Sequence, residues 1–491
     1  MSGAGNRRRN EPLPGLNGAV RGVPFVKMQQ IAQRSTKSVN VTGVTFPAGD
    51  IPQEPHQARL LGLYMQRQEG LWMQRVKIPG GILTAGQWTV LAEIAEHFTP
   101  TAPLHLTTRQ DIEFHDVRPE LVGAIQHGLA GAGLTAVGAC GDTPRNITVC
   151  PCSATATGRV DLMPLARQIQ HVFDATPGVF SLPRKFKVSL SACENACAQP
   201  WINDVGFVAR RKGGEWGLRA IVAGSLGAKP ATGVEFCDWV SARHAPALAA
   251  AALSLFAEHG NREHRYRARL RHVRERMGDE AFLRMLTEVF GAAKAARDWP
   301  DVLLREVDEG FDAETVLTFA NGDITADMAR ALAGLSNVPE MRVRIANHHR
   351  VLVFGKSMEA ISRALAAFPA LTWAAAPCPA VVACPGTRWC RLALADTNRL
   401  ADAMRESLGT SAPLSRTVCV SGCPNGCAHS GVADVGVFGG RAAAGGAERE
   451  VYALLAGGEM GRGPGLAKLV AKGLSAEEVV GQVRQYLSPS R

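Results

Sequence analysis

Apolar residues in this chain fall into short alternating runs and longer runs of helical period, and the two kinds take turns. In "LGLYMQRQEGLWMQRVKIPGG" an extended segment over Leu71–Ile78 stops at Gly80 and Gly81. "TAGQWTVLAEIAEHF" follows, with Thr84 placed to cap a helix whose apolar positions keep helical spacing. "PLHLTTRQDIEFHDV" alternates as a strand does, and "RPELVGAIQHGLAGAGL" predicts a second helix that ends in glycine.

The same order returns later. "ITADMARALAGL" repeats the first helix, "MRVRIANHHRVLVFG" the alternating segment and "SMEAISRALAAF" the second helix. With Leu104 laid on Val343, Leu106 falls on Ile345, Ile112 on Val351 and Phe114 on Val353, so the apolar register survives. A second echo follows in the same order. "ACENACAQPWINDVGFVA" early and "GCPNGCAHSGVADVGVFG" late are both C-x3-C, and both run on into Asp-Val-Gly and an apolar tail. Two matching segments in one order identify an internal duplication with a pseudo-two-fold pair of halves. Between the halves, over roughly residues 240–300, helical spacing punctuated by Gly260 and Gly278 predicts two or three linking helices. The arginines there (Arg262, Arg265, Arg267, Arg269 and Arg271) read as a solvated face, with a docking face for an acidic partner as the alternative.

Composition narrows the class. At 491 residues the chain exceeds one ordinary core. With 46% hydrophobic and 20% charged residues it reads as soluble and globular. Its apolar runs fall short of the roughly 18 residues of a membrane span; Pro377 and Pro379 break the one at Ala374–Ala383. The first residues, "MSGAGNRRRNEPLPG", carry arginines without an apolar segment after them, so a flexible arm and a cytoplasmic location are expected rather than a secretory signal. The net charge of +10 comes without a helix-turn-helix, zinc-finger or RNA-binding signature. An acidic protein partner or an anionic ligand is therefore preferred to nucleic acid, beside the plainer reading of a generally basic surface.

Twelve cysteines in a reducing compartment are not expected to form disulfides. Cys384 and Cys390 form C-x5-C in "CPGTRWC", and Cys423 and Cys427 form C-x3-C in "CPNGC". Proline and glycine keep both loops out of regular structure. Four soft thiolates brought together suit an iron–sulfur cluster. Zinc is the competitor, though its pairs usually run C-x2–4-C. Cys237, Cys378 and Cys419 lack such a setting and read as buried thiols.

The signature C-x5-C…C-x3-C, with "GCPNGC" as its second half, resembles that of the sirohaem and [4Fe–4S] sulfite and nitrite reductase family, over roughly residues 60–460. The resemblance implies that Cys384, Cys390, Cys423 and Cys427 ligate the cluster. It implies that Cys427 also ligates the sirohaem iron, with Asn425 against the macrocycle. "TTRQD", "GDTPRN" and "LPRKFK" resemble the family's substrate and sirohaem segments. Arg109, Arg145, Lys185 and Lys187 match its four anion-binding positions, with Arg109, Lys185 and Asn146 also placed at the cofactor. Converging cations are what reduction of a small oxyanion needs. Family sulfite reductases tend to carry the second lysine of this segment where nitrite reductases have asparagine, so Lys187 favours sulfite. The early C-x3-C departs from the simplest family pattern. Cys140, Cys193 and Cys197 are expected at the places of three late ligands, with Asn146 near that of Cys390. A relic of duplication, a second cluster completed by Cys150 or Cys152, and a redox or cross-linking role for Cys150 are the readings.

The implied fold is an internally duplicated α/β (α+β) protein of the sulfite/nitrite reductase type. Its two ferredoxin-like half-domains share one sheet, beside two sirohaem-half domains. The expected units are a flexible arm (1–50), a first ferredoxin-like half-domain (51–130), a first sirohaem and substrate domain (131–240) and a helical linker (241–305). A second ferredoxin-like half-domain (306–378) and a second sirohaem and [4Fe–4S] domain (379–491) complete the chain. The implied activity is six-electron reduction of sulfite to sulfide. No G-x-G-x-x-G opens a helix after a strand, so electrons are expected from an acidic ferredoxin or a flavoprotein subunit. Nitrite reduction to ammonia, precorrin-3B synthase and a non-catalytic sirohaem or electron-transfer protein are the alternatives.

Overall fold

The structure, a computed structural model, describes residues 39–41, 44–46, 51–52, 54–372, 374, 380–409, 416–444 and 447–487. The expected arm over 1–50 lies outside the described residues except for a backbone strand pair, β1 (Val39–Val41) and β2 (Val44–Phe46). Cys378, Pro377 and Pro379 also lie outside them.

Next come α1 (Pro55–Leu60), β3 (Leu63–Met65), β4 (Trp72–Val76), α2 (Ala85–Phe98), β5 (Leu104–Leu106), β6 (Ile112–Val117) and α3 (Val122–Gly131). Thr84 caps α2 as expected. Its hydroxyl accepts the Gln87 N–H at 3.2 Å, and the Gln87 side chain accepts the Thr84 N–H at 3.0 Å. The single alternating strand expected over this region is instead a hairpin. Thr107 Oγ1 accepts the N–H groups of Arg109 (3.2 Å) and Asp111 (3.0 Å), and Gln110 takes φ 64°, so the polar "TTRQD" turns the chain between β5 and β6. Arg109 thereby sits at a loop tip.

The following unit holds β7 (Thr148–Val149), α4 (Met163–Asp174), β8 (Val188–Ser191), β9 (Val205–Lys212), β10 (Glu215–Val222) and β11 (Val234–Ser241). The linker forms three helices, α5 (Ala245–His259), α6 (Leu270–Met277) and α7 (Asp279–Ala295). The second half then supplies β12 (Ala313–Thr318), β13 (Asp323–Ile324), α8 (Ala326–Ser336), β14 (Met341–Ile345), β15 (Arg350–Gly355) and α9 (Met358–Ala366). It ends with β16 (Ala380–Ala383), α10 (Gly386–Trp389), α11 (Thr397–Leu408), β17 (Thr417–Ser421), β18 (Val435–Ala444), β19 (Ala447–Ala456), β20 (Lys468–Leu474) and α12 (Ala476–Leu487).

The duplication is visible in the ladders. Leu106 faces Ile112 across β5–β6 as Ile345 faces Val351 across β14–β15, which is the register of the sequence repeat. Strands β7–β8–β9 run parallel and continue antiparallel through β10 and β11, and β16 to β20 repeat that order and sense. The ferredoxin-like halves do not share one sheet as expected. They form sheets β13-β5-β6-β4-β3 and β12-β15-β14. Only β13 crosses over, pairing Ile324 with Leu104. A turn at Ala320–Gly322 and the Thr325 cap of α8 leave β13 no room to lengthen. Packing joins the halves instead: Leu91, Ile94 and Phe114 share one buried core with Leu332, Ile345 and Val353. Removing such surface from water is the main stabilising term, about 25 cal/mol per Å². No helix among the described residues is long and apolar enough to cross a membrane.

Candidate functional site

Strand β16 ends on Ala383 and delivers Cys384, whose N–H still pairs with Val420 O at 3.0 Å. The Gly422 N–H donates to Cys384 Sγ at 3.1 Å. Helix α10 then carries the chain to Cys390, whose N–H returns to Gly386 O at 2.9 Å. Cys423 and Cys427 follow β17 in a turn where Gly426 takes φ 66°. Thr108, from the β5–β6 loop of the other half, donates to Cys427 O at 3.0 Å. Burial pushes the thiols of Cys384 up to about 12 and Cys390 up to about 11, and it raises Cys423. Cys427 acts on each of the other three, so the four expected ligands share one locale. Asn425 is exposed, and it acts on the Cys423 thiol, lowering it against the effect of burial. Among the described residues no three His, Cys, Asp or Glu side chains close on a point as a single ion requires.

The first half brings its cations to this place. Arg109 Nη1 donates to Asn203 Oδ1 at 2.8 Å and Nη2 to Asn146 O at 2.9 Å, while its Nε is buried without a partner. Burial pulls Arg109 down to about 10. Arg145 donates to Ala139 O and Gly141 O, both at 2.8 Å, and its Nε is likewise buried and unpartnered. Burial lowers Lys185 to about 7, against the opposing pull of the Cys427 thiol. Lys187 falls well below its usual value, through burial and then the charge of Arg109. After burial, the strongest influences on both lysines are other cations and Cys427. Asn146 is buried. Its amide donates to Ile78 O at 2.9 Å and its carbonyl accepts Arg109, so it holds the arginine's loop.

Several neighbours were not legible as site residues. Asp204, fully buried, accepts the Lys187 N–H at 2.8 Å and Arg269 Nη2 at 2.7 Å. Arg265 pairs with Asp142 at 2.6 Å. The linker arginines are therefore not one solvated face: Arg269 and Arg271 are buried, with Arg271 paired to Glu275, because the start of α6 is held to Asp204 through Arg269. The Asp shared by "INDVGF" and "VADVGVF" was the available signal. His348 Nε2 lies 3.2 Å from His429 Nδ1 and 3.0 Å from Gln199 Nε2, and the latter is a half-buried contact between the halves.

The early cysteines also pair off differently from the expectation. Cys150, rather than Cys140, occupies the place of Cys384, since strand register and not sequence distance sets the match. Cys140 is fully buried with its thiol pushed up by burial, and Asn146 precedes Cys150 in the chain, whereas Cys390 follows Cys384. Cys419 is a buried thiol, as expected, and Cys237 is half-buried.

The comparisons agree with this geometry. A family model described as "Nitrite and sulphite reductase 4Fe-4S domain" matches residues 140–294 and 377–488. A second, "Nitrite/Sulfite reductase ferredoxin-like half domain", matches residues 64–132. A ferredoxin–nitrite reductase of Leptolyngbya laminosa is 28% identical, over 90% of this chain and 91% of its own length. Sulfite reductase [ferredoxin] 2 of Mycolicibacterium paratuberculosis is 27% identical, over 84% and 80%. In fold, the structure of the Mycobacterium tuberculosis NirA protein matches with a TM-score of 0.75 at 23% identity, covering 94% of this chain and 89% of that one.

Proposed function

Because the chain belongs to the nitrite and sulphite reductase family, we propose that it reduces sulfite to sulfide, with six electrons taken one at a time from an external donor protein. The observation that carries this reading is the group Arg109, Arg145, Lys185 and Lys187, whose lysines face other cations and Cys427. A second lysine suits a dianion better than a monoanion, which favours sulfite over nitrite.

The family's cofactors are sirohaem and a [4Fe–4S] cluster, and the residues present fit them. Four thiols in one locale, three of them raised by burial, match the cluster's donor set; metal binding takes their protons and sets positive charge beside the thiolates. The unpartnered Nε atoms of Arg109 and Arg145 and the unpaired lysines suit the carboxylates of a sirohaem and a bound oxyanion. Cys384, Cys390, Cys423 and Cys427 would hold the cluster, Cys427 would be shared with the sirohaem iron, and Arg109, Lys185 and Asn425 would flank the macrocycle. When bound, these groups would relay the donor's electrons and supply the iron for the substrate.

The chain's own side chains do the rest. Arg109 and Arg145 orient the oxyanion through fixed positive charge. Lys185, which burial lowers to about 7 in the cofactor-free protein, is placed to give a proton to a leaving oxygen, and an anion beside it raises its affinity for the next one. An anion beside Lys187 raises its proton affinity and charges it on binding. The donor is an acidic protein such as ferredoxin, or a flavoprotein subunit; the net charge of +10 and the ferredoxin-dependent relatives support this.

Nitrite reduction to ammonia is the second reading, favoured by relatives named as nitrite reductases. The test is an absorption spectrum of anaerobically purified protein, then turnover of sulfite and nitrite with a reduced viologen dye. Absence of sirohaem bands beside intact cluster iron would sink the reductase reading. Lys187→Asn is expected to lower kcat/KM for sulfite roughly tenfold more than for nitrite, about 1.4 kcal/mol of selective stabilisation. Equal losses would remove the argument for sulfite.

A further inference from the structure

The early cysteine loop has the architecture of the late one. Residues 191–200 and 421–430 follow the same succession of strand end, turns and burial, position by position. The Cys150 N–H pairs with Leu190 O at 2.9 Å, as that of Cys384 does with Val420 O at 3.0 Å. The Ala192 N–H donates to Cys150 Sγ at 3.1 Å, and the Gly422 N–H to Cys384 Sγ at the same distance, 3.1 Å. Ala196 and Gly426 take the same left-handed turn, at φ 50° and 66°. Asn347 donates to Cys197 O at 3.2 Å where Thr108 donates to Cys427 O. Cys150, Cys193 and Cys197 thus stand where Cys384, Cys423 and Cys427 stand.

The fourth position differs. In the late loop Gly386 makes the left-handed turn (φ 55°) two residues after Cys384; in the early loop Ala154 makes it (φ 58°), two residues later still. Cys152 precedes that turn, half-buried. The Cys150 and Cys197 thiols are close enough to act on each other, and Cys152 and Cys193 are close enough to act on Cys197.

Charge supplies an independent observation. Arg344, only 4% exposed, reaches into this loop from β14. Its Nη1 donates to Ser153 O at 2.7 Å and Thr155 Oγ1 at 3.1 Å, and its Nη2 to Gly80 O at 2.9 Å. Its Nε is buried and unpartnered, and the groups that act on its charge are the thiols of Cys150 and Cys152 and the carboxyl of Asp161. A buried guanidinium with an idle donor is costly unless negative charge stands beside it. Metal-bound thiolates provide that charge.

We propose that Cys150, Cys152, Cys193 and Cys197 hold a second iron–sulfur cluster of the [4Fe–4S] class, with Arg344 as its counter-charge. Neither cysteine locale closes three side chains on a point, among the described residues, as zinc would require. A four-iron cluster instead gives each thiolate its own iron.

The test counts iron and acid-labile sulfide in the full chain, purified without oxygen. About eight iron atoms beyond that of sirohaem, with about eight sulfides, are expected. The double variant C193S/C197S is expected to fall to about four of each while keeping the sirohaem bands. About four iron atoms in the unsubstituted protein would overturn the proposal without any variant having to fold. So would an unchanged count in the double variant, or a Cys150–Cys197 disulfide found by mass spectrometry of the anaerobic protein. Because the count needs no turnover, its failure is separate from failure of the sulfite reading.

Discussion

Asp204 carries two charges' worth of order at one carboxylate: it fixes the backbone at Lys187 and neutralises Arg269, with no exposure to solvent. Asp204→Asn would leave Arg269 buried and unpaired, and is expected to cost about 3–5 kcal/mol in urea unfolding. An unchanged midpoint would mean that water reaches the pair. Lys185 shows the opposite economy. Burial takes its ammonium from 10.5 to about 7, so between those values the unfolded chain binds more protons than the folded one. The penalty is complete below about pH 7 and fades as the pH rises through 10.5. Cofactor-free protein is therefore expected to gain stability from pH 7 to pH 9 through this group, and Lys185→Met to abolish that gain in melting curves. A gain of equal size in both proteins would assign it elsewhere. The four cations could be found in the sequence because each sits in a short segment that resembles one of the family's. Asp204–Arg269 could not, because a pair joining β9 to the linker leaves no local pattern.

At the scale of elements, the two cysteine loops supply each other's controls. Ala196 already occupies the turn that Gly426 makes, so Gly426→Ala is expected to cost no more than about 1 kcal/mol and to keep the cluster iron. Gly436 lies beneath the turn after Cys427, where an added Cβ would stand 2.0 Å from Ser430 O. Gly436→Ala is expected to cost about 1–3 kcal/mol and to lower the iron content. Similar iron loss in both variants would show that the loop, and not the contact, governs binding. Helix caps and the C-x3-C turns were legible because each is written in a few adjacent residues. The β5–β6 hairpin was not, since apolar alternation continues on either side of its turn and only the Thr107 side chain marks the reversal. The match of Cys150 to Cys384 needed strand register, which sequence spacing does not carry.

For the whole molecule, the repeat in the sequence correctly announced two halves, but not how they are joined. The expectation of a shared sheet failed because β13 is too short to carry it, and the buried faces of α2 and α8 do the joining. Chain fragments 1–300 and 301–491 are accordingly expected to show no cooperative unfolding alone, because each would expose its part of that core. A sharp thermal transition in either fragment would refute this.

The crossed contacts have a consequence for descent. Thr108 of the first half grips the loop of Cys427, and Asn347 of the second grips the loop of Cys197. In a symmetric pair of identical ancestors each copy would have had to serve as both hand and glove. Fusion into one chain let those duties drift apart. Arg109 kept a cationic task while its counterpart His348 turned to bond His429. The grip itself is present on both sides but made by unlike residues, so the two copies have become partners that can no longer be exchanged.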